Sequence, residues 1–204
     1  MNRPQQLEFP SHGGRRKGAG RPQGSRVSHA ARPRFGKPTP AHVTLRMRDH
    51  VWNLRSGRSY RRLLACFEKS RGRFGARLIE FSVQGNHLHL VVEADSDVSL
   101  SRALQGLCIR IARSLNALMR RAGKVFDDHY HARLLRSPTE LLRAIRYVLG
   151  NAAHHFGAAG VDARCSAALV VAERLVLLSP GRSWLVREGL SRAAAAEPSA
   201  PQTP

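Results

Sequence analysis

One stretch of the sequence predicts both a strand and a candidate site: Phe81-Ser82-Val83-Gln84-Gly85-Asn86-His87-Leu88-His89-Leu90-Val91-Val92-Glu93. Side chains on a strand alternate between its two faces, so His87 and His89 point to one face and the intervening apolar residues to the other. Neutral imidazole is a common metal ligand. The spacing is compatible with two ligands of one metal ion, and also with two solvent-facing residues of a half-buried strand.

The neighbouring segments predict the rest of a sheet. Residues 77–83 predict a strand whose alternate apolar residues share one face: Ile79, Phe81 and Val83. Gly85-Asn86 is a turn signal of the kind that joins paired strands. Residues 41–48 alternate strictly between apolar and polar side chains, which predicts a half-buried strand with a polar, positive face. Residues 125–135 predict a fourth strand.

Two segments between these strands have the period of amphipathic helices. Residues 58–72 carry apolar residues among arginines, and residues 99–121 carry apolar residues at spacings of three and four. The opposite side of the second helix is basic and contains Arg102, Arg110, Arg113 and Arg120. Four arginines with no acid among them favour a surface that faces phosphates.

A third helix is predicted after Ser137, which has the position of an N-cap, with Pro138 at the first helical position and Glu140 three residues after the cap. A rotation of about 100° per residue places Tyr147 and Asn151 together on the polar face of this helix. Tyr147 is therefore not expected in the core.

The order strand, helix, strand, strand, helix, strand, helix predicts an α+β fold with a ferredoxin-like antiparallel sheet. Two helices would cover one face of the sheet, and the third helix would lie near the other face and bring Tyr147 to the two histidines. We expect this domain to span residues 40–157. Residues 1–39 would form a disordered basic tail, and residues 158–204 an extension that is partly helical and then disordered.

The composition limits the partners of the chain. Its 204 residues carry a formal net charge of +20, a field that attracts polyanions. No segment has the roughly 20 apolar residues of a membrane-spanning helix, which favours nucleic acid over a membrane as the partner. The three cysteines are Cys66, Cys108 and Cys165. Their odd number and wide spacing match neither a disulfide framework nor a zinc site, as is typical of a reducing cytoplasm.

The basic tail contains a Gly-Arg-Pro core at residues 20–22 that resembles the short hooks found in the minor groove of A/T-rich DNA. The alternative is a solvated tail with affinity for phosphate only. The tail and the basic faces together give the residues predicted to contact nucleic acid: Arg15, Arg16, Lys17, Arg21, Arg46, Arg48, Arg102, Arg110, Arg113, Tyr130, His131 and Arg133.

Four motifs together resemble the single-tyrosine HUH endonucleases, in particular the transposases of small bacterial insertion sequences and their REP-associated branch. The motifs are the strand at 41–48, the run Gly85-Asn86-His87-Leu88-His89, the strand at 125–135 with Tyr130-His131-Ala132-Arg133, and a helix with the pattern Tyr147-x-x-x-Asn151. The resemblance covers roughly residues 40–156.

The resemblance implies a site and a reaction. Mg²⁺ or Mn²⁺ would be held by His87, His89 and Asn151, and Tyr147 would be the nucleophile. The protein would cleave and rejoin single-stranded DNA at hairpin-flanked repeats through a covalent 5′-phosphotyrosine. It would act in the bacterial cytoplasm, associated with the nucleoid, as a monomer or homodimer.

Other interpretations stay open at this point. The protein could be a non-catalytic DNA- or RNA-binding relative that keeps the basic sheet, or a metal-dependent phosphodiesterase that uses an activated water. Tyr60 and Tyr130 are rival nucleophiles, although neither lies on a predicted helix face beside a polar ligand.

Overall fold

The computed structural model describes residues 33–156 and 160–196, with side chains described at residues 33–151 and 160–196. The predicted contacts of Arg15, Arg16, Lys17 and Arg21 lie outside the described residues. The strands are β1 (Thr39–Arg46), β2 (Ala76–Val83), β3 (His87–Ala94) and β4 (His131–Leu134). The α-helices of the described residues are α1 (Gly57–Glu68), α2 (Asp97–Leu118), α3 (Pro138–Phe156), α4 (Val171–Leu177) and α5 (Leu190–Ala196).

The four strands form one antiparallel sheet in the order β2-β3-β1-β4. With α1 following β1 and α2 following β3, this is the ferredoxin-like arrangement that the sequence predicts, so the predicted fold class is confirmed. The register places Thr44 opposite both His89 and His131, and Arg46 opposite His87. Opposed residues of an antiparallel ladder point to the same face, so these polar residues share one face of the sheet.

The main core lies between the other face of the sheet and helices α1 and α2. Leu88 and Leu90 of β3 are fully buried there. The apolar residues predicted for α2 are buried as a continuous stripe: Leu100, Leu104, Leu107, Ile111 and Leu115. The periodicity therefore identified this helix and its buried side correctly. The histidines and this core lie on opposite faces of the sheet.

A second, smaller core packs α3 against the histidine face of the sheet, where Val91 and Ile79 contact Leu141 and Val148. The prediction that Ile79 shares a face with Phe81 and Val83 is wrong, because Phe81 and Val83 belong to the main core. A β-bulge between Leu78 and Glu80 is the physical reason, since one extra residue reverses the alternation that follows it.

The start of α3 agrees with its predicted cap. The backbone N–H of Glu140 donates to Ser137 Oγ at 3.2 Å, and the Glu140 carboxylate accepts from the backbone N–H of Arg136 at 2.7 Å. These bonds satisfy donors that the first turn of a helix otherwise leaves open. The direction in which α3 leaves β4 is thereby fixed.

Residues 160–196 pack onto this frame. The backbone N–H of Val83 donates to Arg164 O at 2.9 Å, which covers the exposed edge of β2. The buried carboxylate of Glu93 accepts from Arg77 Nε and from the backbone N–H groups of Arg182 and Ser183, at 2.7 to 2.8 Å. After Ser183, three apolar side chains complete the second core: Leu185, Val186 and Leu190. Among the described residues, no helix is both long and apolar enough to cross a membrane.

Candidate active site

The polar face of β1 and β3 gathers three imidazoles. His87 and His89 are one residue apart on β3, and their ring centroids are 4.8 Å apart with the planes nearly perpendicular. His42 of β1 lies beside them, with its ring centroid 5.2 Å from that of His89. The strand alternation predicted this shared face for His87 and His89, and the pairing of β1 with β3 adds His42.

Helix α3 brings Tyr147 to this cluster. The Tyr147 ring lies edge-on to His89 with the centroids 5.2 Å apart, and its centroid is 5.7 Å from that of His42. The Tyr147 side chain is 47% exposed, whereas His89 is only 5% exposed. An aromatic hydroxyl-bearing side chain thus packs on the histidines of its own chain while remaining open to a ligand.

The Nδ1 atoms of both β3 histidines are occupied by polar contacts. His87 Nδ1 lies 2.9 Å from Asn86 Oδ1, and His89 Nδ1 lies 3.3 Å from Thr44 Oγ1 and 3.2 Å from His42 Nε2. Because an amide oxygen only accepts, the Asn86 contact assigns the proton of His87 to Nδ1. Such contacts orient a ligating imidazole and leave Nε2 as the nitrogen with a lone pair for a metal.

His42 was not among the residues that the sequence analysis selected, although the alternation of residues 41–48 placed it on the correct face. Burial lowers the pKa of His42, and the neighbouring charges of His131 and Arg133 lower it further. The imidazole is therefore held neutral near physiological pH and can accept a hydrogen bond from His89. The register between β1 and β3 would have identified His42 as a neighbour of His89. The periodicity of a single sequence does not give this register.

The prediction that Asn151 lies on the polar face of α3 is wrong, because its side chain is only 1% exposed. Asn151 follows Tyr147 by four residues, so it is rotated about 40° beyond a full turn from Tyr147 around the helix axis. This rotation places Asn151 closer to the buried stripe of α3, which includes Val148. Both polar atoms of the Asn151 amide are buried and have no hydrogen-bond partner within the described structure. A buried amide without a partner costs about 1–3 kcal/mol, so a ligand that bound this amide would offset that cost.

The donor set fits a hard divalent cation. Two imidazoles and one amide oxygen leave coordination positions for phosphate oxygens and water, which suits Mg²⁺ or Mn²⁺ better than a closed structural zinc site. Within residues 33–151 and 160–196, no three His, Cys, Asp or Glu side chains form a group that could hold a metal ion. The predicted set therefore depends on Asn151 as its third donor, and the unpaired amide is the observation that supports that role.

Some of the residues predicted to contact nucleic acid surround this site. Arg46, His131 and Arg133 are exposed and lie on the histidine face, since Arg46 pairs with His87, His131 with Thr44 and Arg133 with His42. Arg48 is half-buried just after the end of β1. Three basic residues thus line the approach to Tyr147 on the strands β1 and β4.

Other predicted contact residues lie in the opposite layer. Arg102 and Arg113 are exposed on α2, and Arg110 is half-buried there with its guanidinium near Ser70 Oγ and Gly106 O. Tyr130 packs against the main core, and its hydroxyl lies 3.2 Å from Ser101 Oγ of α2. The sheet and the main core separate these residues from the histidines.

The rival nucleophile Tyr60 is placed unfavourably for chemistry. Its side chain is 7% exposed in the main core, and burial raises the pKa of Tyr60 to about 12. The Arg164 guanidinium covers its ring at 4.6 Å. The structure therefore separates both Tyr60 and Tyr130 from the histidine face, and Tyr147 alone among the described tyrosines lies on it.

Comparison with known proteins gives one family and a similar fold. The family model described as "Transposase IS200 like" matches residues 41–148, from the first residues of β1 to the residue after Tyr147. A solved structure of a REP-associated tyrosine transposase bound to a REP hairpin matches with a TM-score of 0.53 and 14% identity, over 65% of this chain and 76% of that chain. This likeness supports the fold.

A structure from Deinococcus radiodurans matches with a TM-score of 0.41 and 12% identity, over 57% of this chain and 90% of that chain, which is too distant for further argument. No curated protein sequence matches significantly. The family match covers more than half of the 204 residues and includes His87, His89 and Tyr147. By this match, the chain belongs to the IS200-like transposase family.

Proposed function

We propose that the protein cleaves and rejoins single-stranded DNA through a covalent bond between Tyr147 and a 5′-phosphate. The observation that carries the proposal is the position of the half-exposed Tyr147 ring, which packs against His89 on the polar face of the sheet. His87, His89 and Asn151 would hold the divalent cation, Mg²⁺ or Mn²⁺. Bound there, the cation would stabilise the negative charge that develops on the scissile phosphate.

Cleavage in this proposal is a substitution at phosphorus in which Tyr147 is the nucleophile. The Tyr147 oxygen attacks the phosphorus atom and loses its phenolic proton to solvent. The bond from phosphorus to the 3′ oxygen breaks, and that oxygen takes up a proton from solvent and leaves as the 3′-hydroxyl. The new phosphotyrosine bond conserves the energy of the phosphodiester, so a 3′-hydroxyl can later reverse the step and join ends without a nucleotide cofactor. The packing of Tyr147 against His42 and His89 limits the positions of its ring before the reaction.

Charge and exposure support single-stranded DNA as the substrate. The exposed side chains of Arg46, His131 and Arg133 lie beside the site on two paired strands, β1 and β4. Cationic side chains on an open sheet face bind phosphates with little sequence preference. The structurally similar REP-associated transposase was solved bound to a REP hairpin, which supports hairpin-flanked single strands as the first substrates to test.

The test uses the full-length protein and a single strand that carries a hairpin and is labelled at its 3′ end. Cleavage by Tyr147 leaves the protein on the 5′-phosphate of the 3′ fragment, so the label should migrate with the protein on a denaturing gel. The adduct should require Mg²⁺ or Mn²⁺ and should not form on the corresponding duplex. Cleavage without an adduct would indicate an activated water as nucleophile, and binding without cleavage would indicate a non-catalytic relative.

A further inference from the structure

A groove of about 650 Å³ lies at the end of the sheet where β1 begins and β4 ends. We call it the β1–β4 groove. Its walls combine apolar and cationic side chains, the principal ones being Phe35, Leu134, Leu185, Arg34, Lys37 and Arg136. The volume lies within the range of pockets that enclose small molecules. None of the catalytic steps described above uses this groove.

Three cationic side chains line the groove. Arg34, Lys37 and Arg136 are exposed, and the described lining contains no carboxylate. Glu140 lies beside the groove, where it accepts from the backbone N–H of Arg136 at 2.7 Å and from Arg133 Nη2 at 3.5 Å. The field in the groove therefore favours an anion.

The walls are fixed by backbone hydrogen bonds. The Phe35 carbonyl accepts from the backbone N–H of Asp97 at the start of α2, at 3.1 Å. The backbone N–H of Leu135 donates to Pro40 O of β1 at 2.8 Å. Phe35 is half-buried against the main core, so its ring offers a supported surface rather than a free side chain. A ligand would find the groove already formed, which reduces the entropy lost on binding.

The groove continues the basic surface that leads away from Tyr147. Arg133 pairs with His42, which contacts Tyr147, and Arg136 follows Arg133 by three residues. Leu134, the residue after Arg133, already lines the groove, and a strand advances about 3.3 Å per residue, so the groove begins next to Arg133. A nucleotide spans at least about 3.4 Å of a strand, so the groove lies within a few nucleotides of Arg133.

We propose that the β1–β4 groove binds one nucleotide of the same single strand, a few nucleotides from the phosphate that Tyr147 attacks. The base lies against Phe35 and the leucine side chains, and the adjoining phosphates contact Arg34, Lys37 and Arg136. A nucleotide has an aromatic face beside a negative charge, which matches the two kinds of wall. This subsite rests on the proposed function and would select the sequence that flanks the cleavage point.

The test measures binding without cleavage, using full-length Tyr147→Phe protein and fluorescence anisotropy. Single strands are lengthened one nucleotide at a time on either side of the cleavage position. Affinity should rise in one step, at the length that reaches the groove. Phe35→Leu, which keeps an apolar side chain without an aromatic ring, should reduce that step about tenfold and leave shorter strands unaffected. Arg136→Ala, whose side chain is exposed, should act in the same way and carries the test if Phe35→Leu impairs folding.

The matched control is Arg62→Ala, an exposed arginine on α1 in the opposite layer. It removes the same charge and should change the affinity for all strand lengths equally, or not at all. A smooth rise of affinity with length, or an equal loss at every length in the groove variants, would overturn the proposal. Binding and cleavage are measured separately, so the two proposals can fail independently. A smooth rise of affinity with length contradicts the groove proposal, whereas the absence of a covalent adduct with the wild-type protein contradicts the proposed cleavage.

Discussion

The ring of Tyr147 lies edge-on against the ring of His89, with the two centroids 5.2 Å apart. His89 is a buried strand residue, and Tyr147 is a half-exposed helix residue that is 58 positions later in the chain. The contact exists because α3 packs on the same sheet face as the histidines, through a second core that includes Val91 and Val148. One chain thus supplies both the proposed metal ligands and the proposed nucleophile.

Mixing experiments should show that the site is assembled within one chain. Tyr147→Phe and His89→Ala proteins should each fail to form the DNA adduct, and a mixture of the two should fail as well, because Tyr147 packs on His89 of its own chain. The measurement is adduct formation by each protein and by the mixture, refolded together to allow exchange. Recovery of about one quarter to one half of the activity in the mixture would show that partners exchange their helices.

Replacement of His42 should weaken metal binding without removing a ligand. His42 Nε2 lies 3.2 Å from His89 Nδ1, and partners of this kind typically change metal affinity by about 10–100-fold. His42→Ala should therefore lower the affinity for Mn²⁺, measured by electron paramagnetic resonance. His42→Gln keeps an acceptor and should retain more of the affinity. Equal Mn²⁺ affinities of the wild type and His42→Ala would show that His42 does not support the metal site.

Substitution of Asn151 should separate stability from metal binding. The buried amide has no partner in the described part of the chain, so Asn151→Leu should raise the free energy of unfolding by about 1–2 kcal/mol in the absence of metal. The same variant should lose the stabilisation that Mn²⁺ gives the wild type, since only bound ligand stabilises the folded state. Urea denaturation with and without Mn²⁺ measures both effects. A destabilised variant that still responds to Mn²⁺ would contradict the assigned role.

The carboxylate of Glu93 should make the attachment of residues 182–183 depend on pH. Burial would raise the pKa of Glu93, but hydrogen bonds from Ser183, Arg182 and Arg77 outweigh it, and the pKa lies below its ordinary value. The stabilisation is therefore complete above about pH 5 and is lost as the pH falls through about 4.3 toward the lower folded-state pKa. Urea denaturation at several pH values measures this loss.

The variant Glu93→Gln provides the comparison. It should be destabilised by roughly 1–3 kcal/mol at pH 7, because hydrogen bonds to the charged group are lost. This difference from the wild type should shrink as the pH falls below about 4. Glu68→Gln, an exposed position on α1, should change stability by less than about 0.5 kcal/mol at any pH. If Glu93→Gln lowered the free energy of unfolding by the same amount at every pH, ionisation of Glu93 would be excluded as the cause.

The local pattern of the sequence was sufficient for much of the fold. The spacing of apolar residues identified α2 and its buried stripe, and the cap at Ser137 identified the start of α3. The alternation around His87 and His89 identified the polar face of β3. These features succeed because a strand with one buried face, or a helix with one buried stripe, must repeat its pattern locally.

Features that depend on tertiary contacts could not be read in the same way. The bulge after Leu78 turned Ile79 away from Phe81, and no turn residue marks it in the sequence. Asn151 is polar but buried, because α3 rolls toward the sheet where the second core forms. His42 joins the site only through strand pairing, a relationship between residues 47 positions apart. The roles of the metal ligands and of the N-terminal tail stay predictions.

The most direct measurement is the identification of the residue that carries DNA after cleavage. The full-length protein is incubated with a hairpin-bearing single strand and Mn²⁺, digested with protease and nuclease, and analysed by peptide mass spectrometry. We predict a residual nucleotide on the α3 peptide at Tyr147, and no adduct in Tyr147→Phe. A nucleotide on Tyr60 or Tyr130, or an adduct that persists in Tyr147→Phe, would contradict this prediction.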